Sequence, residues 1–358
     1  MQTKGTKISF KGQNVFAGID IHLTSWKVTI MVEDVVHKTF SQDPSAESLA
    51  NYMKKNFPGG NYYSAYEAGF CGFSLHRKLE KLGINNKVLN PSDIPTNDKE
   101  RKQKEDKRDS RKIAKSLKNG DIGGIYVPSV DMEQLRGLVR YRKTIVQEIG
   151  RNKNRIKSFL YLNGIDIPEA INTASLHWSG KYTQWLKSIE MTTPYGNMVL
   201  RETLDTTEHL RTKLLRITRE LKTAVSCRDY SSKIQLIQSV PGVGFIMAVT
   251  LLTELEDVMR FKNLDKLCSY VGLVPSTKSS GEKENVGSIT CRSNKALRSN
   301  IIECAWVASR TDPALIYCYN ELCKRMKRNE AIIRIAKKLM NRIRYVIKNE
   351  TLYEYSVV

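Results

Sequence analysis

The 358-residue chain is short of acid: it carries 37 Asp and Glu against 58 Lys and Arg, a formal charge of +21 at pH 7. A surplus that large costs self-repulsion unless the habitual partner is a polyanion. It excludes an ordinary near-neutral soluble enzyme and leaves nucleic acid or an anionic membrane surface. Long apolar runs are missing too. No window approaches 18 uninterrupted apolar residues, and Met1 to Gln13 is polar with no apolar stretch behind it, so the chain is expected neither to span a membrane nor to be secreted. Paired thiols are absent. Cys71, Cys227, Cys268, Cys291, Cys304, Cys318 and Cys323 are odd in number and scattered, none makes a C-x2-C pair, and the five His residues stand far apart. That pattern excludes a disulfide framework and a structural zinc, and suits small buried hydrophobes in a reducing compartment. Apolar residues are plentiful at 41%, enough for real cores, so wholesale disorder is excluded and two or three domains are expected.

The periodicity between Val15 and Asn90 changes in a definite order. Val15–Asp20 reads as a buried strand, Trp26–Val32 alternates as a second, and Val35–Phe40 is a short third, at hairpin spacing. A helix over Ala46–Asn56, a Pro58-Gly59-Gly60 break, a strand over Asn61–Glu67, a helix over Gly72–Leu82 and a last strand over Lys87–Asn90 follow. Strand, strand, strand, helix, strand, helix, strand is the order of the RNase H-like nuclease fold. From Asp131 to about Leu162 a basic helix carries Leu135, Leu138, Ile145, Ile149, Ile156 and Phe159 at three- and four-residue steps. A second helix carries Leu210, Leu214, Ile217, Leu221 and Ala224. Coiled-coil arms and ordinary core packing explain these stripes equally well. The rest is mostly helical, broken by a polar loop at Val274 to Gly281. The expected fold class is α/β plus all-α: an RNase H-like domain over 13–128, a helical coiled-coil region over 129–230, and a mostly helical domain over 231–357.

Three constellations could carry chemistry. Asp20 and Glu67 end strands that lie side by side in an RNase H-like sheet, and Asp106 and Asp109 stand at i and i+3 on one helix face. Four converging carboxylates repel one another unless a divalent metal neutralises them. Mg2+, which takes carboxylates, waters and phosphate oxygens, is the natural ion. The competing explanation is plain charge balance, because Lys99 to Lys118 holds ten basic and four acidic residues. The second is Pro241-Gly242-Val243-Gly244 between apolar helices, a helix-hairpin-helix-like turn in which the Gly242 and Gly244 backbone could meet a DNA phosphate. The third is Ser279-Ser280-Gly281 among Lys278, Lys283, Arg292, Lys295 and Arg298. A serine hydroxyl attacks a phosphodiester only with a base, a metal or nearby cations to help it.

These residues carry a family resemblance. Gly18-Ile19-Asp20-Ile21-His22, Tyr66-Glu67-Ala68-Gly69, Asn90-Pro91 and Asp106 through Ala114, then Val240 through Gly244, Tyr270 through Pro275 and Ser279-Ser280-Gly281, resemble in order the signature blocks of the insertion-sequence family one-ten transposases. Those are serine-dependent, bridge-RNA-guided recombinases of bacteria and archaea, with a RuvC-like DEDD domain and a C-terminal transposase domain. The resemblance implies that Asp20, Glu67, Asp106 and Asp109 bind Mg2+ and that Ser280 is the nucleophile. It also implies a composite site formed by different subunits of a tetramer, with donor DNA, target DNA and a structured guide RNA as partners in a prokaryotic cytoplasm, at the nucleoid. Lys107, Arg108, Arg111, Lys278, Lys283, Arg292, Lys295 and Arg298 are then the expected nucleic-acid contacts. One departure is Cys291-Arg292-Ser293-Asn294, where the family usually has Lys-Arg-Gly-Asn. Two other readings compete: a RuvC-type Holliday-junction nuclease using Mg2+-activated water, and a non-catalytic nucleic-acid binder.

Overall fold

The computed structural model describes residues 9–94, 106–226, 230–280, 283–290 and 293–355, without the side chains of 106–107, 277–280, 283–286 and 288. The chain divides into two compact units, residues 1–127 and 128–358.

In the first unit the strands β1 (Asn14–Ile21), β2 (Trp26–Val32), β3 (Val35–Gln42), β4 (Asn61–Glu67) and β5 (Asn85–Leu89) form one sheet in the order β3-β2-β1-β4-β5. Strands β1, β4 and β5 run parallel, and β2 is antiparallel to both β1 and β3. Helices α1 (Ala46–Asn56) and α2 (Ser74–Lys81) supply the crossovers, as the periodicity predicts. Helix α1 starts where Ser45 Oγ accepts a hydrogen bond from the Ser48 amide at 3.0 Å. Alternation splits the sheet into two faces. Val15, Ala17, Ile19, Val28, Ile30, Tyr66 and Val88 form a core with Leu49, Met53, Leu75 and Leu79 from α1 and α2. The opposite face, with Phe16, Met31, Ala65 and Leu89, packs against Ile113, Ala114 and Leu117 of α3 (Asp106–Asn119).

Gly18 fixes how closely α3 approaches. A Cβ at this position would lie 2.1 Å from the Ser110 carbonyl oxygen and 2.3 Å from the Ala114 amide nitrogen, so helix backbone rests directly on strand backbone. A buried hydroxyl contact beside it, Thr29 Oγ1 to Ser110 Oγ at 2.9 Å, locks the register.

In the second unit α4 (Val130–Leu162) and α6 (Pro194–Ser226) are 33-residue helices that pack antiparallel. Met132, Val139, Ile145 and Ile149 share a core with Leu210, Ile217, Leu221 and Val225. Ile156 and Leu160 instead join Leu200, Leu204 and the Tyr182 and Leu186 side chains of α5 (Gly180–Ser188). The stripe thus includes Met132, Val139, Leu160 and Val225, while the expected Leu135, Leu138, Phe159, Leu214 and Ala224 are only partly buried. The larger core continues through α7 (Ser231–Ser239), α8 (Phe245–Leu255), α9 (Leu264–Val271), α10 (Lys295–Thr311), α11 (Pro313–Cys323) and α12 (Arg328–Asn349). One element departs from expectation. Where a polar loop was predicted, β6 (Pro275–Ser280) and β7 (Lys283–Ile289) form an antiparallel hairpin. Its strands hide in the sequence because they are polar and lack the apolar alternation by which a half-buried strand is recognised.

Among the described residues Cys71, Cys268, Cys304, Cys318 and Cys323 are free thiols. Burial pushes Cys268 and Cys304 up to about 11, which leaves them inert as nucleophiles at neutral pH. No helix of the described residues is long and apolar enough to cross a membrane.

Gly18→Ala should force α3 off the sheet. We expect a stability loss of at least about 1–3 kcal/mol, the range for overpacking a well-filled core, read by urea denaturation of the full chain. A variant as stable as wild type would show that the helix approach is not tight.

Candidate active site

Two carboxylates share one end of the sheet. Ile19 pairs with Tyr66 across the parallel β1 and β4, so Asp20 and Glu67 are the next residues on neighbouring strands, with backbones about 4.8 Å apart. Both follow residues buried in the α1 and α2 core, so both belong to the α3 face. Glu67 is exposed and Asp20 half-buried. Asp20 Oδ2 lies 3.2 Å from His22 Nε2. The turn after Glu67 is held from the far face: the Tyr66 hydroxyl donates to the Gly72 carbonyl at 2.8 Å and accepts from the His76 amide at 3.2 Å. At the same end a cleft of about 230 Å3 is lined by His22, Leu23, Phe70, Cys71 and Lys78, among others.

Helix α3 runs across β1 so that Leu117 and Ile113 belong with Phe16, and Ser110 meets Gly18. Its first turn, with Asp106 and Asp109, therefore points toward the Asp20 end. Asp109 is half-buried, with Lys112 Nζ 3.8 Å from its carboxylate. The side chains of Asp106 and Lys107 lie outside the described residues. Among those described, no three His, Cys, Asp or Glu side chains gather closely enough to hold an ion. Arg108 and Arg111 are exposed and, with Lys112 and Lys115, line a cleft of about 420 Å3 beside Met31, Asp34 and Val36.

In the second unit the Val240 to Gly244 turn does join two packed helices, α7 and α8. Its two glycines differ. Gly242 has φ +83°, and a Cβ there would lie 2.4 Å from the Cys304 carbonyl oxygen of α10. Gly244 is exposed, precedes α8 and has open space where a side chain would go. Packing against α10 accounts for the first glycine, whereas the second has open space beside it.

In the serine hairpin Ser279 pairs with Glu284 and Ser280 with Lys283. The side chains of Lys278, Ser279, Ser280 and Lys283, and the whole of Gly281 and Arg292, lie outside the described residues. Lys295 is exposed at the start of α10, whereas Arg298 is engaged, donating from Nη1 to the Thr290 carbonyl at 2.7 Å.

Two family models match this chain in series. A DEDD transposase model of the IS110 type matches residues 17–163, and a model for the IS116/IS110/IS902 transposases matches residues 234–320. Together they span well over half of the chain. The chain belongs to the IS116/IS110/IS902 transposase family. Among its relatives is a putative transposase, y4qE, of Sinorhizobium fredii, 30% identical over 68% of this chain and 58% of that protein. The transposase for insertion sequence element IS1533 of Leptospira borgpetersenii is 25% identical over 70% and 72%. A second S. fredii protein, the putative transposase y4rJ, is 25% identical over 91% and 90%. The alignment thus spans less than two thirds of the first relative and most of the other two. Asp20, Glu67 and Asp109 fall within the first matched segment of the family, and the hairpin within the second.

One buried group escaped the sequence reading. Glu254, its side chain 2% exposed, accepts two hydrogen bonds from Arg140, from Nε at 2.8 Å and Nη2 at 2.9 Å, and a third from Asn294 Nδ2 at 2.9 Å. The bonds to Glu254 raise the Arg140 guanidinium above its ordinary value. The available signal was a single charged residue in the otherwise uncharged, mostly apolar run Phe245 to Leu255.

Gly242→Ala and Gly244→Ala should separate packing from ligand approach. The first should cost at least about 2 kcal/mol, combining left-handed backbone strain with overpacking. The second should leave the melting temperature unchanged. Equal melting temperatures for both variants would overturn the assignment.

Proposed function

We propose that this protein is a DNA transposase that cuts and rejoins the strands of an insertion sequence with a serine nucleophile, Ser280, assisted by Mg2+ and guided by a structured bridge RNA. The observation that carries the reading is a pair of adjacent strand-end carboxylates, in a five-stranded sheet of RNase H-like order, in the same chain as a polar serine-bearing hairpin. Membership of a transposase family supports it, and so does the charge of +21, which suits RNA and DNA together.

The chemistry is an exchange of phosphodiesters. Ser280 Oγ bonds to the scissile phosphorus as the bond from phosphorus to the 3' oxygen breaks. The serine proton leaves with that oxygen as a 3' hydroxyl, and the other DNA end stays on the protein as a phosphoserine. Attack by a different 3' hydroxyl reverses the step, rejoins DNA and returns the proton to serine. One phosphodiester replaces another each time, so no external energy source is needed. Ser280 is a poor nucleophile alone. Arg108, Arg111 and Lys295, all exposed, supply positive charge for phosphates. Asp20, Glu67, Asp106 and Asp109 would hold Mg2+, which needs only one or two direct carboxylates beside waters and phosphate oxygens. The hard oxygens of adjacent Asp20 and Glu67 fit that demand. When bound, the ion would neutralise phosphate charge at the reacting centre. In this reading the two units of different subunits build one composite site within a tetramer.

A second reading, hydrolysis by activated water in the manner of a RuvC-type junction nuclease, is favoured by the Asp20 and Glu67 pair because that pair asks nothing of the hairpin. Incubating the protein with element-end DNA, its guide RNA and Mg2+, then denaturing, distinguishes the two. The transposase reading expects a covalent protein–DNA adduct that Ser280→Ala abolishes and Ser279→Ala retains, with Asp20→Asn eliminating cutting. Strand cleavage by wild type without any adduct would establish the nuclease reading instead.

A further inference from the structure

A two-stranded hairpin of polar residues has no core of its own, so its direction is set at its foot. In this protein both legs of the foot converge on one buried residue, Glu254, the incoming leg on its main-chain carbonyl and the outgoing leg on its carboxylate. The ladder closes where the Thr290 amide donates to the Val274 carbonyl at 3.1 Å, and Arg298 grips the same Thr290. On the incoming side, the Tyr270 hydroxyl donates to the Glu254 carbonyl at 3.3 Å. On the outgoing side, the Asn294 amide donates to the Tyr270 carbonyl at 3.1 Å and Asn294 Nδ2 donates to Glu254 Oε2. Asn294 Oδ1 also caps α10 by accepting from the Leu297 amide at 3.1 Å. Behind Glu254 stands the two-pronged Arg140 of α4, while Arg136 of the same helix donates from Nε to the Thr253 carbonyl at 3.0 Å.

We infer that Glu254 is a positioning residue for the serine hairpin: its carboxylate ties the foot of the hairpin, through Asn294, to the long helix α4, through Arg140. Glu254 is the one charged residue of helix α8, and a leucine in this place would fill the space without taking a charge out of water. What the carboxylate adds is direction. Its two oxygens fix a fork-shaped guanidinium on one side and an amide on the other: the guanidinium holds the carboxylate in place, and the bond to the Asn294 amide does not survive rotation of the hairpin foot. Direction matters most for a nucleophile, because attack requires an aligned near-contact geometry and small misplacements cost rate rather than binding. The inference rests on Ser280 being the nucleophile.

The test uses the full chain with element-end DNA, guide RNA and Mg2+, and reads the rate of adduct formation, DNA affinity and melting temperature separately. Glu254→Gln and Asn294→Ala should each slow adduct formation about ten-fold or more while DNA affinity stays within about two-fold, the pattern of lost alignment. Combining Arg140→Gln with Glu254→Gln restores a neutral hydrogen-bonded pair and should recover much of the rate lost in Glu254→Gln. Wild-type rates in both single variants would overturn the inference. So would rate losses that merely follow losses of melting temperature and affinity, with no recovery in the double variant. A wild type that forms no adduct would instead refute Ser280 as nucleophile, and this inference with it.

Discussion

The N-terminal unit depends on a missing side chain. Because Gly18 has no Cβ, α3 lies with its backbone on β1, and the Ser110 to Thr29 hydroxyl contact stops it from sliding. Any larger residue would lift the helix, and its first turn would leave the end of the sheet where Asp20 and Glu67 sit. The parallel pairing of β1 and β4 aligns those two acids without further help. Delivering α3 to them is the harder task, since the helix lies some ninety residues along the chain from β1. A close-packed interior, which transmits displacements rather than absorbing them, makes the glycine contact the natural control point.

The second unit solves a similar problem with charge. Its hairpin is polar and must be held without an apolar core, and a buried carboxylate with directional partners does the holding. The partners come from far along the chain, Arg140 from the first long helix and Asn294 from beyond the hairpin. The C-terminal segment is secured in the same manner, with the buried Asp312 accepting from Tyr353 Oη at 2.5 Å and facing Arg342 Nη1 at 2.8 Å. Those bonds keep the Asp312 carboxyl below its ordinary value despite burial. In a chain so rich in cations, the few buried acids work as fixed points against which basic helices can be oriented.

Much of this was legible in the sequence, and the reasons differ by element. Helix α1 and strand β4 occur at the predicted bounds, because each is a clean period closed by Asn56-Phe57-Pro58 or opened by Gly59-Gly60. Asp20 and Glu67 were recognisable from strand ends alone, since parallel neighbours expose their carboxyl ends together. The β6–β7 hairpin was not, because Ser, Thr, Lys and Glu strands carry no hydrophobic alternation. Nor could spacing assign different tasks to Gly242 and Gly244: the distinction lies in Cys304, sixty residues away. Glu254 shows the same limit, because a buried acid is explained only by its partners, and pairwise contacts across a hundred residues leave no mark in local periodicity.

The central claim is that a glycine-seated helix and two parallel strands deliver carboxylates to one divalent-ion site. Titrating the full chain with Mn2+ as a spectroscopic substitute for Mg2+, and following the loss of the free-ion electron paramagnetic resonance signal, tests it directly. The account predicts binding that Asp20→Asn and Glu67→Gln each weaken by about ten-fold or more, as expected when a carboxylate leaves a small oxygen-ligand site, and that Ser280→Ala leaves unchanged. Mn2+ binding of wild-type strength in both carboxylate variants would contradict it.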